Sequence, residues 1–370
     1  MKFSCEKNLL IEAVTAVARA VPQKSAVQVL EGILLRCAKG KLSLTGYDLD
    51  IGIESSLEAS VQEQGAIVLN ARMLSEIVRK LPGSSVSVTC GEKNTVIIRS
   101  GASEFTLLGI PAEDYPQMPE VLAERTLEMS EAALKSTLRQ TLFAVSDNEN
   151  RPILTGSLFK VDKDVLTVVS VDGFRLAMRT ETVKNPSMEQ FSFVVPGKAL
   201  AEVARLCGES DRAVYISLAK KYILFGFESV TLVSRLLEGE FIDYDSVIPK
   251  GEKVTALVDT ALLTAAVERA SLVVSEKIKN PVVFNFDFDS LKITTKSGVG
   301  SVYDELSVTL SGEPLEIGLN NSFMLDALRA CDSETIEISM ITSLSPIVIT
   351  APEQSKFLFL VVPMRYKTNE

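Results

Sequence analysis

Apolar residues return at helical spacing at three places in the chain: Leu10, Ala13, Val14 and Val17; Leu134, Leu138, Leu142 and Val145; and Leu263, Val267 and Ala270. Residues three and four apart share one helix face, so each set predicts an amphipathic helix with one buried stripe. Elsewhere the period shortens to two. Alternation of β-branched and polar residues in Ser85 to Cys90, Thr95 to Arg99 and Phe105 to Leu108 predicts short strands with one face in a core. A second helix is expected near the middle of each unit, with Asn70 and Asn320 as N-caps because a short amide oxygen can accept the orphan N–H groups of a first turn.

The pattern repeats. Leu42 to Asp48 returns in form as Leu166 to Asp172 and again as Leu291 to Ser297, at steps of about 124 and 125 residues. Asn70 to Arg79, Gly197 to Arg205 and Asn321 to Arg329 recur at nearly the same step, and Gly109 to Tyr115 is matched by Gly239 to Tyr244. Three features at one period imply three copies of one unit. Each copy reads as helix, strands, helix, strands. Grouped rather than alternating elements imply an α+β fold, with the two helices of a unit packed on one face of an antiparallel sheet. The expected domains are 1–122, 126–250 and 251–370, divided at charged or proline-flanked stretches. If a homodimer set all twelve helices inward, each about 10 Å across, they would line a circle of about 120 Å and leave a hole of about 28 Å, wide enough for duplex DNA.

Composition narrows the chemistry. The 370 residues are 46% hydrophobic, enough for a large core, and contain no histidine. That removes histidine as a general base or metal ligand, and with it the usual serine and cysteine hydrolase arrangements and most zinc sites. No Walker A loop or GxGxxG turn is present. The five cysteines are scattered, without a CxxC pair, and are expected to be reduced, mostly buried and inert. No catalytic residue, metal or cofactor is assigned. No apolar run approaches the roughly 20 residues of a membrane helix, and the start, Met1-Lys2-Phe3-Ser4-Cys5-Glu6-Lys7, meets charge too soon for a signal peptide, so no membrane association and a cytoplasmic location are expected. Two other functions fit the residues less well: a carboxylate metallohydrolase around Asp147, Glu149 and Asp172 or around Asp287 and Asp289, and a repeat-built scaffold that binds peptides without DNA. Asp287 and Asp289 read more simply as polar positions beside a strand turn.

The net charge of -10 is opposite to the basic balance of most DNA-binding proteins. It is unevenly placed. The six helical windows together carry about +3, which leaves about -13 on the rest. A mildly basic helical face inside an acidic surface suits a ring that holds DNA without gripping it, since each neutralised phosphate adds affinity. Glu76 with Arg79 or Lys80, Glu202 with Arg205, and Asp326 with Arg329 have the spacing of ordinary helix-surface ion pairs.

The stretches Leu42 to Leu49, Arg151 to Gly156, Val171-Asp172-Gly173-Phe174-Arg175-Leu176-Ala177 and Val361-Val362-Pro363-Met364-Arg365 resemble the beta subunit of bacterial DNA polymerase III, and the resemblance runs from Met1 to Arg365. It implies three DNA-clamp domains, a ring-shaped homodimer around duplex DNA and a non-catalytic processivity role. It also implies an ATP-driven clamp loader, because the chain has no nucleotide motif of its own. Lys24, Arg72 and Asn148 then stand where family members touch the DNA backbone. Pro152 and Ile153 stand where some members carry aromatics.

The resemblance also turns the Asp172-Gly173 segment, which by itself reads as a hairpin turn, into one wall of a peptide-binding pocket. That wall comprises Val171, Gly173, Phe174, Arg175 and Leu176. Leu154, Ile242, Val247, Asn320 and Phe323 would add further walls, and Leu344, Pro346, Val361, Pro363, Met364 and Arg365 the remainder. A mostly apolar groove suits a short hydrophobic motif of the replicative polymerase, the loader, or repair or translesion factors. The tail Tyr366 to Glu370 runs past the usual family end. The dimer seam is expected to join Phe105 and Leu107, on an alternating strand, to Leu272 and Val273 of the partner copy, after the first helix of the third unit.

Overall fold

The computed structural model describes residues 1–274, 280–353 and 355–366; the expected tail beyond Tyr366 lies outside the described residues. In the first repeat the order is β1 (Lys2–Glu6), α1 (Lys7–Val17), β2 (Gly32–Ala38), β3 (Lys41–Tyr47), β4 (Ile51–Glu58), β5 (Ser60–Glu63), β6 (Gly65–Asn70), α2 (Ala71–Lys80), β7 (Ser85–Cys90), β8 (Thr95–Ser100) and β9 (Ser103–Leu108). The second repeat runs β10 (Arg125–Ser130), α3 (Glu131–Thr141), β11 (Gly156–Asp162), β12 (Val165–Val171), β13 (Arg175–Thr182), β14 (Phe191–Pro196), α4 (Gly197–Leu206), β15 (Ala213–Leu218), β16 (Tyr222–Gly226) and β17 (Val230–Arg235). The third runs β18 (Val254–Asp259), α5 (Thr260–Ser271), β19 (Val282–Phe286), β20 (Ser290–Ser297), β21 (Gly300–Ser307), β22 (Thr309–Ser311), β23 (Leu315–Leu319), α6 (Asn321–Ala330), β24 (Thr335–Met340), β25 (Ile347–Thr350) and β26 (Phe357–Val361).

Each repeat opens with a strand, not with the helix that the apolar spacing predicts. Lys2–Glu6, Arg125–Ser130 and Val254–Asp259 alternate cleanly, but five or six residues carry too weak a period to be read alone beside a stronger helical signal. The helices follow the expected stripes: Leu10, Val14 and Val17 are buried, as are Leu134 and Leu138, and Leu263, Val267 and Ala270. The second stripe breaks after Thr141 into a 3-10 turn, Leu142–Ala144, so Val145 leaves the helix. Asn70 and Asn320 cap α2 and α6 as expected; the Asn70 side chain accepts from Met73 N at 3.0 Å, and Asn320 accepts from Ser322 N and Phe323 N at 2.9 and 3.2 Å.

Among the described residues all strand pairs are antiparallel, and they form four sheets. The chain divides into two compact units, residues 1–132, 184–187 and 202–236, and residues 133–183, 188–201 and 237–370. The first holds a five-stranded sheet, β5-β1-β7-β8-β9, and an eight-stranded one, β10-β15-β16-β17-β4-β3-β2-β6. The second holds a nine-stranded sheet, β14-β11-β12-β13-β26-β25-β24-β18-β22, and a four-stranded one, β21-β20-β19-β23. Strands of neighbouring repeats thus merge into one sheet at β4–β17, where Ile53 lies opposite Leu232, and at β13–β26, where Ala177 lies opposite Phe359. In the second unit, apolar faces of α5 and α6 cover Phe284, Phe286, Ile338 and Phe359 in one core.

Two of the expected ion pairs have other partners. Glu76 pairs with Arg72 at 3.1 Å, and Asp326 with Arg175, while Arg329 reaches Glu268 at 2.8 Å. Glu202 does pair with Arg205. Helical spacing names who can meet along a helix; the tertiary neighbour decides who does. Cys5, Cys37 and Cys207 are buried, and burial pushes the Cys5 and Cys331 thiols up to about 12. No helix among the described residues is long and apolar enough to cross a membrane.

Candidate functional site

A DNA-facing candidate is built where the first helix of a repeat ends and the second begins. In the first repeat, Lys24 and Arg72 line one cleft of about 770 Å³ with Pro22, Gln23, Asn70 and Ser75. The second repeat has the corresponding cleft, of about 460 Å³, lined by Ser146, Asp147, Glu149, Gly197 and Lys198. Asn148 is exposed in the loop beside it, its amide oxygen turned onto Asn150 N at 3.0 Å. Pro152 is exposed at the start of a 3-10 turn, and Ile153 is half-buried against the apolar cluster around Val171 and Leu176. Aligned by the repeat, Asn148 stands in for Lys24 and Lys198 for Arg72. Sequence reasoning missed Lys198. The signal was present: α2 and α4 align through Leu74 with Leu200 and Arg79 with Arg205, which sets Lys198 on Arg72.

The residues expected to form a peptide pocket gather around the β12–β13 hairpin. Asp172 shapes the turn, its Oδ1 accepting from Phe174 N at 2.8 Å and Arg175 N at 3.0 Å, and Gly173 takes φ +96°, the left-handed conformation a glycine adopts without strain. Arg175 donates through Nε to Asp172 Oδ2 at 2.8 Å and through Nη1 to Asp326 on α6, and its guanidinium lies 4.6 Å from the Phe323 ring centre. Phe174 stacks on Phe323 at 6.3 Å with 61% of its surface exposed. An arginine fixed by two carboxylates and an aromatic face keeps the wall rigid. It also consumes the Asp172 oxygens that a metal site would need.

The remaining pocket residues reach this wall through the sheet. Arg175 lies opposite Val361 and Leu176 opposite Leu360, while Val361 also faces Ile347, the strand entered through Leu344 and Pro346. Ile242 and Val247 flank Tyr244, which packs with Val171 and Leu176. Ile242, Val247 and Leu344 are exposed apolar side chains, 38%, 43% and 71%. Leu154, Val171, Leu176 and Val361 are buried and support the surface rather than line it. Asn320 caps the helix that carries Phe323.

The segment Pro363 to Arg365 is tied at both ends. Val362 N donates to Phe174 O at 2.8 Å, and Met364 N to Gly318 O at 2.8 Å. Beyond Arg365, Tyr366 lays its ring over Gly318, where an added Cβ would stand 2.5 Å from Cδ1, and its hydroxyl donates to Glu316 Oε1 at 2.7 Å. Burial, and then the Glu316 hydrogen bond, raises the Tyr366 phenol above its ordinary value. Gly318 and Glu316 escaped the sequence reading, which named Asp326 only as a neighbour of Arg329 and Tyr366 only as the start of the tail, because these contacts join residues far apart along the chain. At the expected seam, Phe105 and half-buried Leu107 lie on β9, an edge strand, and Leu272, 83% exposed, and Val273 follow α5.

Three repeats of two helices and antiparallel sheet define a DNA clamp. Profiles of the DNA polymerase III beta subunit match its N-terminal domain to residues 1–119, its central domain to 128–243 and its C-terminal domain to 245–365. A beta sliding clamp of Bacillus subtilis is 34% identical over 376 residues, covering 99% of this chain and all of the relative. Its crystal structure superposes with a TM-score of 0.96, at 34% identity over 99% of this chain and all of that one. A putative DNA polymerase III beta subunit from Eubacterium rectale gives 0.95 at 32% identity, with both chains fully covered. The chain belongs to the DNA polymerase III beta subunit family and is a DNA sliding clamp of replication.

Proposed function

We propose that two copies of this chain, each of three domains at 1–122, 126–250 and 251–370, close head to tail into a cytoplasmic, non-catalytic ring around duplex DNA. One observation carries the reading. The repeats join at β4–β17 and at β13–β26, and carrying the same step along the chain makes β9 the counterpart of β17 and β26, and β21 the counterpart of β4 and β13. Both are edge strands, so each copy has one unused partner of each kind. Two copies satisfy both edges, and the register of the used junctions sets Phe105 of one protomer opposite Val302 of its partner. Leu272 and Val273 then help to cover the seam.

Within the ring, Lys24, Arg72, Lys198 and Asn148 contact the DNA backbone, with Pro152 and Ile153 beside them. The pocket around Phe174, Arg175, Phe323 and Met364 takes a short hydrophobic motif from the replicative polymerase, a repair or translesion factor, or the ATP-driven loader. A threaded ring leaves DNA only by opening, so the tethered polymerase stays at the primer end while each contact stays weak.

The test is retention: load the protein onto nicked circular duplex with a cognate loader, isolate the complex by gel filtration, and linearise the circle. Protein held on the circle and lost on cutting supports topological attachment. Retention unchanged by cutting, or no loading, refutes it.

A further inference from the structure

The hairpin at the peptide pocket has a counterpart in the first repeat, between β3 and β4. Asp48 Oδ1 accepts from Asp50 N at 2.9 Å and Ile51 N at 2.6 Å, as Asp172 Oδ1 accepts from Phe174 N and Arg175 N, and Leu49 takes φ +81° where Gly173 takes +96°. The chain leaving β17 and the chain leaving β26 dock on these hairpins by the same bond, Arg235 N to Asp50 O at 3.1 Å and Val362 N to Phe174 O at 2.8 Å. The apolar support matches as well. Leu34, Tyr47, Val68 and Tyr115 share one cluster, and Leu158, Val171, Val194 and Tyr244 hold the same repeat positions in the cluster behind the pocket.

The two grooves differ at the floor. Gly52 lies opposite Tyr47 as Leu176 lies opposite Val171, so a glycine stands where the pocket has a leucine. Met118 takes the vacated volume: a Cβ on Gly52 would lie 2.5 Å from its Sδ and 3.2 Å from its Cε. Counting from the paired tyrosines, Tyr115 and Tyr244, Met118 is the counterpart of Val247, which stays 43% exposed at the pocket. Tyr115 ties the segment down by donating to Thr45 O at 3.3 Å. Taking the pocket around Phe174 and Met364 as a peptide site, on which this rests, we propose that the first repeat carries a second groove for an apolar side chain of a short peptide, and that Met118 occupies it as a ligand tethered in cis. A thioether fills an irregular apolar gap well. A tethered ligand at high effective concentration also excludes a free peptide of similar chemistry. Each protomer therefore offers its partners one open groove instead of two.

The test uses the full-length protein with labelled Leu, Val and Met methyl groups, titrated with the apolar pentapeptide acetyl-Ala-Leu-Ala-Leu-Phe-amide. In wild type the Met364 methyl is expected to shift saturably at one peptide per protomer, while the Leu34, Val68 and Met118 methyls stay in place. Met118→Ala empties the groove, and an apolar cavity takes apolar ligands, so Leu34 and Val68 should then shift as well and the stoichiometry should rise to two. Met118→Leu refills the groove and should return it to one. Should Met118→Ala not fold, Gly52→Ala, whose new methyl displaces the flexible Met118 side chain, is expected to give the same second site. A folded Met118→Ala or Gly52→Ala that shifts Met364 but neither Leu34 nor Val68 would overturn the proposal, as would a second site already open in wild type. A wild type in which Met364 does not shift would instead refute the pocket reading, and this second groove with it.

Discussion

Gly318→Ala is the sharpest probe of how the pocket rim is held. The new methyl would stand 2.5 Å from Tyr366 Cδ1, 2.8 Å from Cε1 and 3.1 Å from Met364 O. Contacts under 3 Å cannot be kept, so the ring must leave its seat. With it go the hydrogen bond to Glu316, about 1.5 to 3 kcal/mol for a charged acceptor and nearer 1 in this half-buried setting, and the fixed approach of Met364 and Arg365. A rim that must be re-ordered on binding costs about 0.5 to 1.5 kcal/mol per side chain. Together these predict a loss of about 1.5 to 2.5 kcal/mol in affinity for a hydrophobic motif peptide, roughly 10- to 70-fold in Kd. Fluorescence anisotropy with a labelled peptide reads the affinity, and a thermal melt reports the fold. Tyr366→Ala in the Gly318→Ala background removes the clash, so the double variant should bind no worse than Tyr366→Ala alone. Wild-type affinity in Gly318→Ala, with an unchanged melt, would show that Tyr366 does not hold the rim.

Arg179→Ala removes a buried cation from Gln140, Glu181 and Asp332 and should cost about 3 to 5 kcal/mol in urea unfolding. Burial alone would raise the Glu181 carboxyl, but the hydrogen bonds from Lys356 and Arg179 outweigh it and hold it below the usual carboxylate range. Its contribution to stability is therefore full above about pH 4.3, the unfolded value, and is lost as the pH falls through the lower folded value. The stability gap between wild type and Glu181→Gln should narrow on acidification from pH 6 to pH 3, and a constant gap would contradict this. Arg72→Ala and Lys198→Ala should each lower the log-log salt slope of binding to linear duplex by about 0.9, without sequence dependence; an unchanged slope removes that residue from the DNA face. Phe105→Cys with Val302→Cys should form an intermolecular disulfide under mild oxidation, since directly opposed strand residues have Cα atoms about 4.5 to 5.5 Å apart. Preferential crosslinking of Phe105→Cys to a neighbour of Val302 would place the seam in another register.

Repetition made most of the architecture readable. Each helix stripe is a local consequence of 3.6-residue geometry, and the three stripes up to Leu138 in the second, the two asparagine caps and the β7, β8 and β9 strands stand where the chain's periods put them. Short opening strands escaped because their signal is weaker than the helix beside them. Ion-pair partners escaped for another reason. Asp326 is three residues from Arg329 along its helix, yet it bonds Arg175, 151 residues away, because the sheet brings β13 under α6.

The amino-acid sequence by itself determined the unit, its number, its class and the family, because hydrophobic period and repeat spacing are properties of the chain. Composition likewise removed histidine chemistry before any coordinate was known. Only the tertiary structure decided which edges remain unpaired, that Asp326 bonds Arg175, and that Tyr366 sits on Gly318. These are relations between residues far apart in the chain, set by strand register and packing, and no local period encodes them.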